Sequence, residues 1–381
     1  MKIKRLKIYL LFILTTVFCQ LGNAQNQKAE ADFEAVMKKF EAVGASVAVV
    51  KNGNIIYTHS FGFKDLDNKI PLTDKDIFRI ASISKSFSAT SIMQMVEAGK
   101  ISLEDDFGDL VGFKIRNPQF PDQKITLKMA LSHRSSLNDS QGYLNLDVIN
   151  PAKNPDYAKC YSNNKPGTTY DYCNLNFNLI GTIIEKQSNE RFDNYVKGHI
   201  LNPLGLYAGY CVDSLDSTRF VNLYEYNANA KKYSVASAAY APRRLEIKNY
   251  IMGYSTPIFS PTGGMKISAT DLAKYMTMNM NYGTYNGVKV ISKKSSKLMQ
   301  TPLSEEEGYG LAIRTADDLI PGEKLKGHTG SAYGLYSTMF FNPKKKFGIV
   351  VITNGIIPTY TGGLPDFSRA AINSLYNNFV K

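Results

Sequence analysis

Hydrophobic and polar positions along the chain predict β-strands near both of its ends. A β-branched apolar run over 44–50 and a shorter one over 55–57 flank Asn52-Gly53, and this pattern predicts a β-hairpin. Further strand-like runs lie toward the C-terminus, at 308–313, 335–341 and 347–353. We therefore expect both ends of the chain to contribute strands.

Helical spacing of apolar residues is found mainly between these strands. One helical pattern begins near Ser82 and ends at Gly99, a residue type that favours helix C-termini. Other helical patterns cover 127–131, 175–184 and, at the end of the chain, 365–379. The mid-chain helices are separated by long loops rich in Asn, Asp, Tyr and Pro, and loops of this length are often functional.

This order of elements predicts an α+β fold. We expect an antiparallel sheet built from both chain ends and flanked by helices, with a mostly helical lobe inserted between them. The sequence is interpreted as a single domain over 25–381, with an α/β lobe formed by 33–99 and 255–381 and a helical lobe formed by 100–254. A cleft between two lobes is a usual place for a small-molecule site.

The N-terminus has the pattern of a secretory signal peptide. Four basic residues precede an apolar run over 8–18, and Asn23-Ala24 offers a small residue for cleavage after Ala24. The run is shorter than the roughly 20 residues that span a bilayer. The alternatives are an uncleaved anchor, or a lipoprotein attached through Cys19, which the bulky Phe18 disfavours. We expect a secreted or periplasmic protein with no membrane span after cleavage of residues 1–24.

Composition excludes several classes of protein. The chain has 381 residues, 44% of them hydrophobic, as in ordinary globular proteins. Its formal charge is +12, part of which belongs to the signal peptide, and the rest is spread along the chain. The densest basic run, 344–346, lies between two predicted strands and is typical of an exposed turn. Because no basic stripe is interleaved with aromatic residues, we expect no nucleic-acid partner, only a small-molecule or peptide substrate.

Cysteine and histidine spacing shows no metal-binding motif. Three cysteines remain after cleavage, Cys160, Cys173 and Cys211, and either one disulfide with a free thiol or three buried thiols fits them. The four histidines lack HxH or HExxH spacing. We therefore expect no metal site.

Ser82 and Lys85 are the first candidates for chemistry. A spacing of three at the start of a helix puts both side chains on one face. A serine hydroxyl needs a base to act as a nucleophile, and a lysine of lowered pKa can serve. The same spacing recurs at Ser162 and Lys165, but in an Asn-rich loop without a helix behind it. Taken alone, Ser82 also fits an ordinary helix N-cap.

Tyr172 and Asn174 form a second candidate pair. They are two residues apart, so in an extended segment both point the same way. A tyrosine near a lysine ammonium loses its proton more easily, and an Asn amide can bond both a lysine and a substrate carbonyl. A Tyr-x-Asn decoy begins at Tyr161. We prefer Tyr172 because a turn precedes it and a helix follows it.

His328, Thr329, Gly330 and Ser331 lie in a glycine-flanked strand pattern. A glycine at a close-approach position lets a strand lie against a substrate. The backbone N–H groups of Ser331 and Ser82 could then form an oxyanion hole, in which each donor contributes about 3–4 kcal/mol to the transition state. A buried strand histidine without catalytic function is the alternative.

Together, Ser-x-x-Lys, Tyr-x-Asn and His-Thr-Gly resemble the three motifs of the serine β-lactamase and penicillin-binding-protein superfamily, closest to its class C branch. The similarity extends to four flanking segments and covers about 33–380; the segments are 78–81, 99–103, 261–265 and 268–272. It implies a β-lactamase/transpeptidase-like fold and acyl-enzyme chemistry without a cofactor.

The resemblance also implies a role for each motif residue. Ser82 would be the nucleophile, and Lys85 and Tyr172 would share the proton transfers. Substrate would be positioned by four residues of the other motifs, namely Asn174, His328, Thr329 and Gly330. The oxyanion would be held by the backbone N–H groups of Ser82 and Ser331.

Two positions depart from the class C pattern. True class C β-lactamases carry Lys where this chain has His328, and a mostly neutral histidine grips a substrate carboxylate less well. Esterase and aminopeptidase members are similar in having His. Ser136 stands where the family normally has Gly. The sequence therefore predicts a poor β-lactamase.

The predicted function is that of an exported serine hydrolase. Its substrate would be a D-amino-acid peptide, a cell-wall peptide or a small ester, with weak action on β-lactams. The alternatives are a true class C-type β-lactamase and a penicillin-binding or sensor protein that is acylated without turnover. An α/β-hydrolase is disfavoured because the sequence has no Gly-x-Ser-x-Gly elbow.

Overall fold

The structure, a computed structural model, describes residues 24–304 and 306–381. Residues 1–23, which contain most of the predicted signal peptide and Cys19, lie outside this part. Helix α1 covers 24–39, and the further helices are α2 Ser84–Glu97, α3 Phe107–Val111, α4 Leu127–Leu131, α5 Asn174–Ser188, α6 Phe192–Val196, α7 Arg244–Lys248, α8 Ala269–Met280, α9 Lys293–Met299 and α10 Asp366–Phe379.

The strands are mostly short outside the main sheet. They are β1 Gly44–Lys51, β2 Asn54–Asp65, β3 Ile70–Pro71, β4 Phe78–Arg79, β5 Ala208–Gly209, β6 Tyr224–Asn227, β7 Lys232–Val235, β8 Lys266–Ile267, β9 Thr284–Tyr285, β10 Val288–Lys289, β11 Arg314–Ala316, β12 Leu325–Ala332, β13 Leu335–Asn342, β14 Phe347–Thr353, β15 Tyr360–Thr361 and β16 Leu364–Pro365.

A seven-stranded antiparallel sheet unites the two ends of the chain. Its order is β11-β12-β13-β14-β1-β2-β3, so the first strand lies beside the last long one. The register pairs Val47 with Val351 across that junction and with His59 across the predicted hairpin. The predicted α+β fold, with an antiparallel sheet from both chain ends, is confirmed.

Both faces of this sheet are covered. Alternate residues of β1 divide between two cores: Val47 and Val49 pack toward α1 and α10, whereas Ala48 packs toward α2 and α8. Because successive strand residues point to opposite faces, a strand covered on both sides needs a continuous apolar run. This is the run seen in 44–50.

The prediction of a strand at 308–313 is wrong. This segment turns on itself, with Gly308 at φ +61° and Ala312 at φ +57°, both in the left-handed region. Only Arg314–Ala316, just after it, joins the sheet as β11. The apolar run is buried as a compact loop rather than as a strand. Burial therefore explains the hydrophobic pattern that the sequence showed.

The helices between the two halves of the sheet pack around α5. Helix α5 contacts α2, α3, α4 and α6, and it is buried along most of its length. Among the described residues, no helix combines the length and apolar character needed to cross a membrane. Cys160, Cys173 and Cys211 are buried free thiols, which is one of the two arrangements left open by the sequence.

Candidate active site

Ser82 lies in a tight 3₁₀ turn, Ala81–Ile83, that leads directly into α2. The preceding residue, Ala81, has φ +46°, a conformation that costs a non-glycine residue roughly 1–2 kcal/mol. Such strain persists only where surrounding contacts hold it, and it is commonly found at functional sites. The turn thus fixes the Ser82 hydroxyl against the start of a rigid helix.

Lys85 is fully buried and points at Ser82. Its Nζ lies 3.1 Å from Ser82 Oγ, 2.8 Å from Asn174 Oδ1 and 3.0 Å from the Thr262 carbonyl oxygen. The predicted Ser82, Lys85 and Asn174 are therefore brought together. Thr262 adds a second link, because its hydroxyl donates to Asn174 Oδ1 at 2.8 Å.

Burial lowers the pKa of Lys85 to about 7, against a smaller opposing effect of the Asp139 carboxylate. A neutral amine has two N–H donors and one lone pair. Asn174 Oδ1 and the Thr262 carbonyl can each accept one donor, which leaves the lone pair facing the Ser82 hydroxyl. The site therefore presents Lys85 as a base toward Ser82 near neutral pH.

Tyr172 packs against the same site. Its ring centre lies 4.7 Å from Lys85 Nζ, and the residue keeps 37% of its surface exposed. Burial of its hydroxyl raises the pKa of Tyr172, while an interaction with Ser82 lowers it to a lesser extent. We therefore regard Tyr172 as a neutral phenol that donates a proton, and Lys85 as the stronger base.

Strand β12 approaches the nucleophile through Gly330. A Cβ on Gly330 would lie 2.2 Å from the Ile80 carbonyl oxygen and 3.1 Å from Ala81 Cβ, so no other residue fits there. Ser337 Oγ of β13 fastens the contact by donating to the Ile80 carbonyl at 2.9 Å. Among the described residues, β12 past Gly327 pairs only with β13, and its other edge is left unpaired next to the turn that carries Ser82.

His328, which the sequence analysis expects to help position the substrate, has a buried side chain with a partner at each ring nitrogen. It is 3% exposed, its Nδ1 lies 2.6 Å from the Thr329 carbonyl, and its Nε2 lies 2.8 Å from the Tyr309 hydroxyl. A neutral ring donating to Thr329 and accepting from Tyr309 satisfies both nitrogens. In this arrangement the His328 ring holds the Tyr309 hydroxyl and the Thr329 carbonyl of β12.

Thr329 and Ser331 lie on the opposite side of the strand from His328. Thr329 is half-buried and Ser331 exposed, and both border a small cavity with Tyr336 and Tyr360. In the described part of the chain, the Thr329 side chain makes no hydrogen bond to Ser82 or Lys85. The predicted contribution of Ser331 is its backbone N–H, which does not depend on where its side chain points.

Lowering the pH from 7 to 5 should destabilise the protein through His328. Burial, and to a smaller extent Lys85, lower its pKa to about 3, whereas an unfolded histidine titrates near 6.5. In this window the unfolded chain binds more protons than the folded one, so the free energy of unfolding decreases as the pH is lowered. The loss at pH 5 is about 2 kcal/mol, measurable by urea unfolding at both pH values.

A matched pair of variants tests that origin. His328→Gln should flatten the pH dependence of unfolding, although buried His133, whose pKa burial also lowers, contributes in the same direction. His199→Gln changes an exposed histidine beside Glu190 and should keep the wild-type dependence. The same pH dependence in wild type and His328→Gln would contradict the assignment.

Asp139 is a residue that the sequence analysis missed. One of its carboxylate oxygens accepts from the backbone N–H and the side-chain Nδ2 of Asn174, both at 2.9 Å. The other accepts from the Leu175 N–H at 3.0 Å. Asp139 thereby caps α5 from a distant loop, and it orients the Asn174 amide so that Oδ1 faces Lys85.

A weak signal for this cap was present in the sequence. Helix α5 follows Cys173, which makes no side-chain cap of its own, so some other acceptor had to serve the helix N-terminus. The sequence did not show which carboxylate this would be. Asp139 has no motif spacing to Asn174 and meets it only through the fold.

The 131–137 segment packs against the segment that carries Tyr172. Ser136, where the family normally has Gly, has φ +64°, which explains why glycine suits this position. His133 is fully buried, and its ring lies 4.2 Å from that of Tyr172. Its Nδ1 accepts the Cys173 N–H at 3.0 Å and so fixes the segment that carries Tyr172.

The second Ser-x-x-Lys and Tyr-x-Asn motifs, which begin at Ser162 and Tyr161, do not form a comparable site. The Ser162 hydroxyl donates to the Asp171 carboxylate, and Lys165 is exposed. Tyr161 is 8% exposed, and burial raises its pKa. In the described residues, no hydrogen bond joins Ser162 to Lys165. Of the two Ser-x-x-Lys pairs, only Ser82 and Lys85 have the geometry of a nucleophile and its base.

A serine at the start of a buried helix, served by a lysine one turn later and flanked by an unpaired strand edge, places the chain in the serine β-lactamase and penicillin-binding-protein superfamily. Within that class, the chain belongs to the Beta-lactamase family, which it matches over residues 29–365. The resemblance inferred from the motifs is confirmed.

Known proteins similar to the chain agree with this assignment. "Protein flp" of Staphylococcus aureus (strain MRSA252) is 25% identical over 356 residues, which cover 88% of this chain and 64% of flp. The structure of an octameric penicillin-binding protein homologue from Pyrococcus abyssi has a TM-score of 0.72 at 26% identity, covering 92% of this chain and 78% of that one. The chain thus spans just under two thirds of flp.

A second solved structure shows the same fold at lower identity. D-amino acid amidase from Ochrobactrum anthropi SV3, complexed with D-phenylalanine, has a TM-score of 0.70 at 19% identity. The match covers 93% of this chain and 98% of the amidase. Almost the whole amidase therefore corresponds to the α+β unit described above.

Proposed function

We propose that the chain is an exported serine hydrolase that cleaves an amide or ester through an acyl-enzyme on Ser82. The observation that carries the proposal is the buried Lys85 Nζ, 3.1 Å from Ser82 Oγ, with a pKa lowered to about 7 by burial. Export is supported by the signal-peptide pattern of residues 1–24. The family and the name of the amidase support hydrolysis of amides.

Acylation follows from the arrangement of protons in the site. Neutral Lys85 takes the Ser82 proton as Oγ attacks the substrate carbonyl carbon. The oxyanion that forms accepts from the backbone N–H groups of Ser82 and Ser331. Tyr172 gives its phenolic proton to the departing amine or alcohol, the bond to the leaving group breaks, and Lys85 returns a proton to Tyr172.

Deacylation reverses these roles with water as the nucleophile. The attacking water gives a proton to Tyr172 as the phenol passes its own proton to neutral Lys85, and Lys85 then protonates Ser82 Oγ as the acid product departs. Asn174 keeps Lys85 and the substrate aligned, because Asp139 holds the opposite end of its amide. The cycle consumes one water and restores every protein group.

The predicted weakness on β-lactams gains support from His328. A lysine at that position would offer a permanent charge to a β-lactam carboxylate, whereas His328 is buried and its pKa is lowered to about 3. Charge-assisted hydrogen bonds are roughly twice as strong as neutral ones. We therefore favour a D-amino-acid peptide, cell-wall peptide or small ester as substrate.

A turnover panel tests this function. Purified protein is assayed on a D-amino-acid amide, a D-Ala-D-Ala peptide, a short-chain ester and a cephalosporin, with Ser82→Ala as the background. We expect steady turnover of at least one of the first three, and cephalosporin kcat/KM below about 10⁵ M⁻¹s⁻¹. A single stoichiometric burst without turnover would instead identify the penicillin-binding or sensor alternative.

Tyr172→Phe should lower kcat at least about tenfold, because general acid–base catalysis is worth roughly 10²–10⁴-fold. Tyr161→Phe is the matched control and should change kcat by less than about threefold, since Tyr161 belongs to the decoy motif. Ester assays of both variants make the comparison. A larger loss from Tyr161→Phe would mean that the proton donor had been assigned to the wrong tyrosine.

A further inference from the structure

A small cavity near the nucleophile is lined by three basic side chains, Arg79, Arg243 and Lys266. Its volume is about 80 Å³, and Tyr143, Tyr210 and Tyr333 complete most of its polar wall. Among the described residues, no Asp or Glu lines it. A cavity lined by three basic side chains and, among the described residues, by no carboxylate is unusual, because buried basic groups are normally paired with acids.

Among the described residues, Arg79 has only neutral partners, which include the Ala239 carbonyl and the Ser260 hydroxyl. Its Nε donates to the Gly263 carbonyl at 2.9 Å, and its guanidinium lies 5.0 Å from the centre of the Tyr333 ring. In the described part of the chain, no carboxylate forms an ion pair with it. Burial lowers the pKa of Arg79, and the guanidinium nonetheless keeps its charge at neutral pH.

Lys266 is 3% exposed, and its Nζ donates to the Tyr210 carbonyl at 2.7 Å. Burial first, and then the charge of Arg79, lower its pKa well below the ordinary value. The nearby Asp193 does not neutralise it, because that carboxylate is held by Arg191 at 2.6 and 2.9 Å. An anion beside Lys266 would restore its charge and gain a strong hydrogen bond.

The third basic side chain, Arg243, is only loosely paired. Arg243 Nη1 donates to Glu246 at 2.9 Å on the protein surface, a contact worth little in water. Asp213 accepts the backbone N–H of Arg243, and its other oxygen accepts from Arg244. The acids around the cavity are therefore outside it and already engaged.

The residues that line the cavity are close in the chain to those of the active site. Arg79 precedes Ser82 by three residues, and the Gly263 carbonyl that Arg79 holds follows the Thr262 carbonyl that Lys85 holds. Tyr333 follows Ser331, the proposed oxyanion donor, by two residues. The cavity lining and the residues around Ser82 are therefore held by the same segments of the chain.

We propose that the cavity bounded by Arg79, Arg243 and Lys266 binds a carboxylate of the substrate, so that the enzyme selects substrates carrying a negative charge near the scissile bond. This inference rests on the proposed function and narrows its substrate class. A water occupies roughly 30 Å³, so the cavity has room for a carboxylate. A substrate with an ammonium group at this place, such as a free D-amino-acid amide, is repelled.

Matched esters test the preference. On the acyl side, the mono-p-nitrophenyl ester of adipic acid, which carries a free carboxylate, is compared with its neutral methyl ester. The p-nitrophenyl ester of 6-aminohexanoic acid is the cationic counterpart. On the leaving-group side, 4-carboxyphenyl hexanoate is compared with 4-carbamoylphenyl hexanoate. Rates with Ser82→Ala are subtracted. Adipate binding to the wild-type protein is measured separately by calorimetry.

We expect the anionic ester of one pair to have a kcat/KM at least about tenfold above its neutral partner. Arg243→Gln and Lys266→Met should each lower that ratio about tenfold and abolish adipate binding. Arg244→Gln removes the same charge from the neighbouring exposed residue, outside the cavity, and should keep the ratio.

The possible outcomes separate the two proposals. Ser82-dependent turnover of the neutral esters with no anion preference on either side would overturn the cavity assignment alone. Adipate binding that persists in both Arg243→Gln and Lys266→Met would also overturn it. Absence of Ser82-dependent turnover of any ester, peptide or amide would overturn the proposed function, whatever adipate does.

Discussion

Ser82→Ala should abolish covalent labelling of the purified protein by a fluorophosphonate or a fluorescent penicillin. Ester turnover should fall by several orders of magnitude, because loss of a nucleophile removes the acyl-enzyme route altogether. The Ser82 hydroxyl is held in a strained turn and lies 3.1 Å from a lysine whose pKa is lowered to about 7. In-gel fluorescence and mass spectrometry of the labelled peptide provide the measurement.

Ser162→Ala is the matched control for this variant. Ser162 has a lysine at the same sequence spacing, but its hydroxyl is engaged with Asp171 and its Lys165 is exposed. Labelling and turnover of Ser162→Ala should therefore equal those of the wild type. Label recovered on the peptide that contains Ser162, or undiminished labelling of Ser82→Ala, would show that the nucleophile is elsewhere.

Most of the sheet could be predicted because its long strands are continuous apolar runs in the sequence. The apolar run before Asn52-Gly53 predicts the β1–β2 hairpin, which the structure confirms. The 308–313 segment is equally apolar, yet its backbone turns at Gly308 and Ala312. Hydrophobicity reports burial, and it distinguishes a strand from a buried loop only where turn residues or alternation add information.

The nucleophile and its base were also visible, since both belong to one helical turn. Their partners were harder to find, because they come from distant segments of the chain. Asp139 reaches Asn174 across 35 residues of sequence, and Tyr309 reaches His328 from a loop. A local pattern cannot show such pairings, because they depend on how helices and sheet pack.

His328 shows that a short motif does not reveal the surroundings of its residues. From sequence, a histidine at this position was expected to contact the substrate. In the structure its ring is enclosed between Tyr309 and the Thr329 carbonyl, so its hydrogen-bonding groups are already used. Burial, which no short motif records, decides whether such a side chain faces a ligand or supports its neighbours.

Lys85→Met should lower kcat/KM for a good substrate by about 10²–10⁴-fold, the usual worth of a positioned general base. Methionine has a similar length and is apolar, so it fills the buried site without adding charge. Lys165→Met, at the exposed decoy position, should leave kcat/KM unchanged. Equal losses in the two variants, or no loss in Lys85→Met, would contradict a base at Lys85.

The pH profile gives this role a signature that a merely structural lysine would lack. Lys85 acts only when neutral, and its pKa is about 7, so wild-type kcat/KM should rise with pH and level off above 7. At pH 5 it should be about 100-fold below the plateau. The Asp139 carboxylate raises the pKa of Lys85, so Asp139→Asn should move the acid limb of the profile to lower pH. The same variant should lower the plateau of kcat/KM, because Asn174 loses the carboxylate that orders its amide. An acid limb that stays in place in Asp139→Asn and persists in the residual activity of Lys85→Met would assign the titration to another group.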